Sequence, residues 1–142
     1  MKEHGVERIM SDVTKFLEKN PIQYLATVGL DGKPKVRPFM FILEREGKLY
    51  FSTSNQKPLY KEIKNLPFVE IVTASPEFVW FRFNGKVEFS DDIEIKKAII
   101  EKSEIVKAQY QTAENPNLEA LYITGKATIA DFSGEPPKEY NI

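Results

Sequence analysis

The sequence predicts a mainly β fold, a small antiparallel β-barrel of six strands with flanking helices. Six segments have the composition and alternation of β-strands, and short turn motifs join the first three of them. The chain contains 10 Phe and 6 Tyr residues. Strands so rich in aromatic side chains need a closed or nearly closed sheet to hide their edges. The length of 142 residues fits a single domain, residues 1–142.

A helix is expected at the beginning of the chain. Apolar residues recur every three or four positions from Val6 to Leu17, which places them on one face of an α-helix. Pro21 disfavours a helical conformation for Asn20 and so ends this helix. We expect the helix to cover an opening or a flank of the barrel.

Three strands follow, at residues 23–30, 33–43 and 48–54. Asp31–Gly32 is a hairpin motif that joins the first two, and a polar turn at 45–48 precedes the third. Consecutive strands with short turns predict a meander. Pro34 and Pro38 cannot donate hydrogen bonds to a neighbouring strand, so the second strand is expected to lie at an edge or to contain a bulge.

The second half of the chain alternates helices and strands. Pro58 suits the first turn of a helix that Pro67 ends. Ser90–Asp92 is typical of the start of another helix, which we expect to break near Ser103. Gly85 is interpreted as the site of a bend or bulge. The remaining expected elements are strands at 68–73, 78–89 and 118–132, a long helix at 93–110, and an irregular tail from residue 133.

The composition excludes several classes of function. Twenty basic and 21 acidic residues give a net charge of −1, which provides no field for attracting nucleic acid. The chain has no cysteine and one histidine, His4, so a thiolate enzyme, a cysteine zinc site and a multi-histidine metal site are excluded. A Ser-His-Asp triad would need a catalytic group at the chain end. Without a long apolar run or signal core, we expect a cytoplasmic protein that does not enter the membrane.

The first candidate ligand-binding segment is Arg37, Pro38, Phe39 and Met40. An arginine beside a proline leaves local backbone groups without strand partners, and those groups can bond the edge of a planar ligand. The alternative interpretation is a surface arginine on an edge strand.

The second candidate is the polar run Ser52, Thr53, Ser54, Asn55, Gln56 and Lys57, which leads into the helix that contains Lys61. Hydroxyls, lysines and a helix N-terminus are the groups that bind phosphate in proteins. The run lacks the glycine spacing of a P-loop. The alternative is an ordinary polar connection between a strand and a helix.

The third candidate is Trp80 with Arg82, which lie two residues apart and therefore on one face of a strand, opposite Phe81 and Phe83. Such a pair can stack on a flat ring system and contact its polar edge. The alternatives are dimer packing and a surface cation–π pair. Both kinds of role are compatible if the ligand lies at a dimer interface.

Four segments, in this order, resemble the pyridoxamine 5′-phosphate oxidase-like family of FMN-binding split barrels, and in particular its short bacterial, nitroimidazole-reductase-like members. They are ATVGLDGKPKVRPF, LYFSTSNQKPLYKEIKNLP, FVEIVTASPEFVWFRFNGKVEF and ALYITGKATIADFSG. The resemblance implies a split barrel and a homodimer with flavin mononucleotide (FMN) at the subunit interface. It also implies an oxidoreductase that passes hydride from a reduced nicotinamide through FMN to a small acceptor, such as a nitroaromatic.

The resemblance further implies the roles of individual residues. Residues 37–40 would bind the flavin, the hydroxyls of residues 52–54 the ribityl-phosphate region, and Lys57, with Lys61 as a weaker candidate, the phosphate. Trp80 would lie against the flavin with Arg82 beside it.

No protein acid or base is required for hydride transfer, so no catalytic residue is predicted. The chain lacks the C-terminal Arg and His residues that bind substrate in true pyridoxamine-phosphate oxidases, which argues against vitamin B6 oxidation. The alternatives are a non-enzymatic flavin-binding or stress-response module and a binder of a deazaflavin or haem.

Overall fold

The fold comes from a computed structural model that describes residues 2–142, with the side chains of residues 10 and 12–142. The first helix runs from Lys2 to Lys19 and ends one residue before Asn20, as the sequence predicts. His4, and the predicted apolar positions Val6 and Ile9, lie outside the side chains that the structure describes.

The remaining elements confirm the predicted class, a mainly antiparallel β fold with flanking helices. The strands are β1 (Gln23–Val28), β2 (Pro34–Phe39), β3 (Leu43–Arg45), β4 (Lys48–Ser54), β5 (Phe68–Ala74), β6 (Trp80–Ser90), β7 (Leu118–Ala130) and β8 (Lys138–Asn141). After α1 (Lys2–Lys19), the helices are α2 (Pro58–Asn65), α3 (Ile93–Lys102) and α4 (Glu104–Tyr110). The predicted break near Ser103 is confirmed, and both Asp92 and Ser103 cap the helices that follow them.

The strands form one antiparallel sheet in the order β2-β1-β5-β6-β7-β4-β3, and β8 pairs with β7 beside that path. Strand β2 therefore lies at an edge of the sheet, as its two prolines predict. The predicted meander is wrong, because β4 pairs with β3 and β7 rather than with β2. The two ends of the order, β2 and β3, leave the sheet open between them, as in a split barrel.

The sequence predicts six strands and the described residues form eight, because the segment 33–43 divides in two. Phe41 and Ile42 are both buried although they are adjacent, so the alternation of a strand fails between them. The Phe41 N–H donates to the side chain of Gln23 at 2.7 Å, whereas the Ile42 N–H donates to the Tyr50 carbonyl at 3.0 Å. The chain thus leaves one edge of the sheet and joins the other.

The second additional strand is β8, in the tail predicted to be irregular. Tyr140 and Ile142 pack against the main hydrophobic core, and burial of these side chains stabilises the short strand. Backbone hydrogen bonds of 2.8 and 2.9 Å join Ile142 to Gly125 and extend the pairing.

Two hydrophobic clusters hold the elements together. The main cluster fills the barrel and combines α1 with the inner faces of the strands, as the stacked rings of Phe16 and Phe81 illustrate, with centroids 6.2 Å apart. The second cluster lies on the opposite side of β4, between that strand, α3 and α4. Phe41 belongs to the first cluster and Ile42 to the second.

Gly85 is not the site of a bulge, because the register of β6 with β7 continues without interruption from Trp80 to Ser90. It faces Gly125 across the pair. A Cβ added at position 125 would lie 1.9 Å from the Asn84 carbonyl oxygen, and one at position 85 would lie 2.1 Å from the Thr124 carbonyl oxygen. Glycine is required here because the two backbones approach too closely for any side chain.

Gly125→Ala should therefore reduce the free energy of unfolding by about 2 kcal/mol or more, since rigid backbone must move to admit the methyl group. Urea denaturation measures the change. Gly29→Ala is the matched control, because its new methyl would meet chiefly the ends of the flexible Asp31 and Lys35 side chains, at 2.6 Å, and the Lys33 carbonyl only at 3.1 Å, so its cost should stay below that of Gly125→Ala by about 1 kcal/mol or more. Equal costs for the two variants would contradict this account of the glycine pair.

Candidate cofactor-binding site

Two neighbouring clefts collect many of the polar residues singled out in the sequence. The first, which we name the basic cleft, has a volume of about 400 Å³ and lies between the β1–β2 turn and the start of α2. Its lining consists of Leu30, Asp31, Lys35, Gln56, Lys57, Pro58, Lys61 and Glu62. Three lysines against two acids give this lining an excess of positive charge.

The second cleft, which we name the apolar cleft, has a volume of about 250 Å³ and lies between the end of β2, strand β4 and helix α4. It is lined by Pro21, Ile22, Pro38, Phe39, Met40, Ile42, Ser52, Lys57, Ser103, Ile105, Val106 and Gln109. Lys57 lines both clefts, so the two are contiguous at that residue. Together they offer an apolar surface at one end and cations at the other.

The lysines of the basic cleft differ in how far their charges are neutralised. Lys35 forms an ion pair of 3.1 Å with Asp31. The backbone N–H of Lys33, and then the Lys35 side chain, hold the pKa of Asp31 below its usual value. Within the described part of the chain, neither Lys57 nor Lys61 has an acidic partner. These two ammonium groups are therefore free to bind an anion.

The start of α2 contributes less to anion binding than the sequence suggests. Pro58 has no N–H, and the N–H of Tyr60 is already bonded to the Lys57 carbonyl at 3.1 Å. The first turn has thus lost two of the donors that a helix N-terminus normally exposes. An anion in the basic cleft would depend mainly on the side chains of Lys57 and Lys61.

Arg37 lies in a buried polar network that joins β1, β2 and α2. One terminal nitrogen of its guanidinium donates to Glu62 Oε1 at 2.7 Å, and the other donates to Thr27 Oγ1 at 2.8 Å and to the Leu25 carbonyl at 3.2 Å. The Thr27 hydroxyl donates in turn to Glu62 Oε1 at 2.7 Å. Glu62 is only 6% exposed and Thr27 only 4%, whereas the Arg37 side chain is 24% exposed, so the acceptors of the network are shielded from solvent and the guanidinium is partly accessible.

These contacts limit what Arg37 can offer a ligand. Of the five N–H groups of an arginine, three are used by these hydrogen bonds, so two remain. The charge of the guanidinium is matched by that of Glu62. The sequence analysis missed Glu62. The signal was its position on the same face of α2 as the apolar residues Leu59 and Ile63. A carboxylate on a buried face is rarely unpaired, so its position indicates a cationic partner.

The three predicted hydroxyls point in different directions. Ser52 lines the apolar cleft. Thr53 is 3% exposed, and its hydroxyl has no hydrogen-bond partner among the described residues. Ser54 accepts a hydrogen bond from the Gln56 N–H at 3.1 Å and bonds the Tyr110 side chain, so its hydroxyl is already engaged. Burial raises the pKa of Tyr110 above its usual value, although the hydrogen bond with Ser54 opposes that rise.

Trp80 and Arg82 lie on the outer face of β6, opposite the buried Phe81 and Phe83, as the sequence predicts. The Arg82 guanidinium lies 5.7 Å from the centre of the Trp80 ring and forms an ion pair of 3.2 Å with Glu70. Neither residue lines the basic or the apolar cleft. Within one chain, the structure therefore does not bring them together with the other predicted site residues.

The predicted residues that do line the two clefts are Pro38, Phe39, Met40, Ser52, Lys57 and Lys61. The sequence analysis did not assign Ser103, Val106 and Gln109 of the α4 region to the site. No group of His, Cys, Asp and Glu within the described residues could hold a metal ion. No helix within residues 2–142 combines the length and the apolarity needed to cross a membrane.

Comparison with known proteins identifies relatives of this chain. Residues 9–129 match the family model described as pyridoxamine 5′-phosphate oxidase. No curated protein sequence is significantly similar to the chain. Among solved structures, a NimC/NimA family protein from Clostridium acetobutylicum is 32% identical, with a TM-score of 0.85. The match covers 94% of this chain and 92% of that one.

More distant structures share the fold. A pyridoxamine 5′-phosphate oxidase-related, FMN-binding protein from Nostoc punctiforme has a TM-score of 0.71 at 21% identity, over 91% of this chain and 87% of that one. General Stress Protein 26 from Bacillus anthracis has a TM-score of 0.76 at 20% identity, over 94% and 98% of the two chains. At these identities the likeness concerns the fold alone.

Proposed function

The chain belongs to the pyridoxamine 5′-phosphate oxidase-like family, and from this premise we propose that it is an FMN-binding oxidoreductase. The observation that carries the proposal is the pair of contiguous clefts joined at Lys57, one bearing free cations and the other apolar. A phosphorylated flavin has the same division between an anionic end and a flat ring system.

The basic cleft fits the phosphate end of FMN. Lys57 and Lys61 have no acidic partner among the described residues, so both ammonium groups are free to pair with a phosphate. Ser52 lines the adjoining apolar cleft, whereas Thr53, although its buried hydroxyl lacks a partner, lines neither cleft. We assign Ser52 to the ribityl chain and Lys57 and Lys61 to the phosphate.

The apolar cleft fits the flavin ring. Pro38, Phe39 and Met40 supply its wall from the end of β2, where the strand is an edge and its backbone has free hydrogen-bonding groups. Val106 and Gln109 close the opposite side from α4. The surroundings of the ring are thus apolar, with a few polar groups at its edge, as is usual for cofactor sites.

FMN, when bound, supplies the redox chemistry by accepting hydride from a reduced nicotinamide and passing it to a small acceptor, for which we propose nitroaromatic compounds. The side chains of the clefts would hold the ring in place, limit the access of water and bond its polar edge. None of these tasks needs an acid or base.

A visible spectrum of the purified protein, or of the protein reconstituted with FMN, tests the proposal. We expect flavin absorbance that is bleached by reduced nicotinamide and restored by a nitroaromatic acceptor. Protein that takes up no FMN would exclude the cofactor assignment. Bound FMN that no nicotinamide reduces would favour a non-enzymatic flavin-binding or stress-response module. Mass spectrometry of the released ligand separates FMN from a deazaflavin or haem.

Lys57→Ala should weaken FMN binding about tenfold or more, because a charge-assisted contact to phosphate contributes about 1.5–3 kcal/mol. Quenching of flavin fluorescence measures the affinity. Lys64→Ala is the matched control, since Lys64 lies on the same helix but contacts the rings of Tyr60 and Phe89 rather than the basic cleft. Equal affinities for the two variants would remove Lys57 from the phosphate site.

We also propose that the protein is a homodimer with the cofactor at the interface. The outer face of β1, β2 and β5 exposes Tyr24 by 45%, Val36 by 68% and Val72 by 40%. Tyr24 and Val72 are directly paired across β1 and β5. Arg82 lies opposite Val72 on the same face. If Trp80 and Arg82 contact a flavin, a second subunit provides the natural route, because in their own chain they lie away from both clefts.

Val72→Asp should convert the dimer to monomers, because it places a charge on this outer face. The affinity for FMN should fall as a result. Sedimentation velocity gives the oligomeric state, and the flavin absorbance that sediments with the protein gives the amount of bound FMN. Ile93→Asp is the control, since Ile93 is 39% exposed and lies at the start of α3, away from the face. A wild-type monomer that binds FMN fully would refute the shared site.

A further inference from the structure

We propose that Glu62, which lines the basic cleft, limits the affinity of that cleft for phosphate by neutralising the charge of Arg37. This inference rests on the proposed function, because FMN is the phosphate ligand concerned. It assigns Glu62 the role of a specificity-determining residue, one that decides how tightly the phosphorylated end of the cofactor is held.

The two acids of the basic cleft are in different surroundings. Asp31 is exposed, and water screens its charge as well as that of its partner Lys35. Glu62 is 6% exposed and lines the cleft. A charge in such surroundings acts over a longer range than one in water. Of the two acids, Glu62 is therefore the one whose removal, by leaving the charge of Arg37 uncompensated, would change the electrostatic potential in the cleft more.

The contacts of Glu62 also determine what Arg37 can do. A single carboxylate oxygen, Oε1, accepts from Arg37 at 2.7 Å and from the Thr27 hydroxyl at 2.7 Å. As long as this ion pair is intact, the positive charges left for a phosphate are those of Lys57 and Lys61. A protein that restrains its phosphate affinity in this way exchanges its flavin more readily than one in which Arg37 is unpaired.

The substitution Glu62→Gln isolates the charge. The amide oxygen of glutamine still accepts hydrogen bonds from Arg37 and Thr27, whereas the negative charge is gone. We expect FMN to bind roughly tenfold more tightly to this variant than to the wild type. Riboflavin has the same ring and ribityl chain without the phosphate, so its affinity should not change. Glu139→Gln, which removes an exposed partner of Lys126, is the matched control.

Fluorescence titration with FMN and with riboflavin gives the decisive comparison. Unchanged or weaker FMN binding by Glu62→Gln would overturn the inference. Parallel changes for FMN and riboflavin would do the same, because they would indicate an altered fold rather than an altered charge.

A second variant guards against loss of folding, because Glu62→Gln leaves Arg37 without its counter-charge. Arg37→Gln/Glu62→Gln removes both charges together. Its ratio of FMN to riboflavin affinity should stay close to that of the wild type, since the net charge is the same. A ratio roughly tenfold lower would show that Arg37 binds the phosphate despite Glu62, and would overturn the inference.

Inorganic phosphate provides a probe that does not depend on the flavin. Phosphate should raise the melting temperature of Glu62→Gln more than that of the wild type, and equal shifts would count against the role of Glu62. If the wild type binds neither FMN nor riboflavin, the proposed function fails. The phosphate measurement still decides whether Glu62 sets the anion affinity of the cleft.

Discussion

The ion pair between Arg37 and Glu62 is the interaction on which the geometry of the site depends. It connects an edge strand, β2, to helix α2 across 25 residues of sequence, and Thr27 joins β1 to the same pair. The pair is partly buried, with the Arg37 and Glu62 side chains 24% and 8% exposed, and it adds to the packing of Leu59 and Ile63 in the main core. Together these contacts hold α2 against the barrel. The positions of Lys57 and Lys61 follow from the position of that helix.

The passage of the chain between the two ends of the sheet has a similar consequence for the apolar cleft. Phe41 and Ile42 point into different hydrophobic clusters, which is possible only where the strand pattern is interrupted. The interruption leaves Pro38 and Phe39, which pair with β1 on one side only, and Met40 at the margin of the sheet, where they line the apolar cleft together with residues of α4. An opening between β2 and β3 that would otherwise be a liability for edge-to-edge association thus becomes the wall of a cleft.

Local patterns predicted much of this structure, and contacts between distant residues account for what they missed. The helix ends at Asn20 and Ser103 follow from proline and capping chemistry, which act over a few residues. The pairing of β4 with β7, by contrast, depends on packing between segments more than 60 residues apart. The site shows the same division. Lys57, which lines both clefts, was singled out from the sequence, whereas the pairing of Glu62 with Arg37 could be known only once β2 and α2 were placed side by side.

The placement of Trp80 and Arg82 bears on how such a site can be completed. Both residues face outward on β6, beside the exposed side chains of Tyr24 and Val72. In a symmetric dimer, a patch on one subunit meets the same patch on the other, so an aromatic ring at its margin can reach a cleft at the margin of its partner. A face of this kind would serve two purposes, because the apolar strands would provide the association energy and the Trp80–Arg82 pair would provide contacts to a planar ligand. The proposed dimer would thus account for two residues that look like ligand contacts in the sequence and yet lie outside both clefts of their own chain.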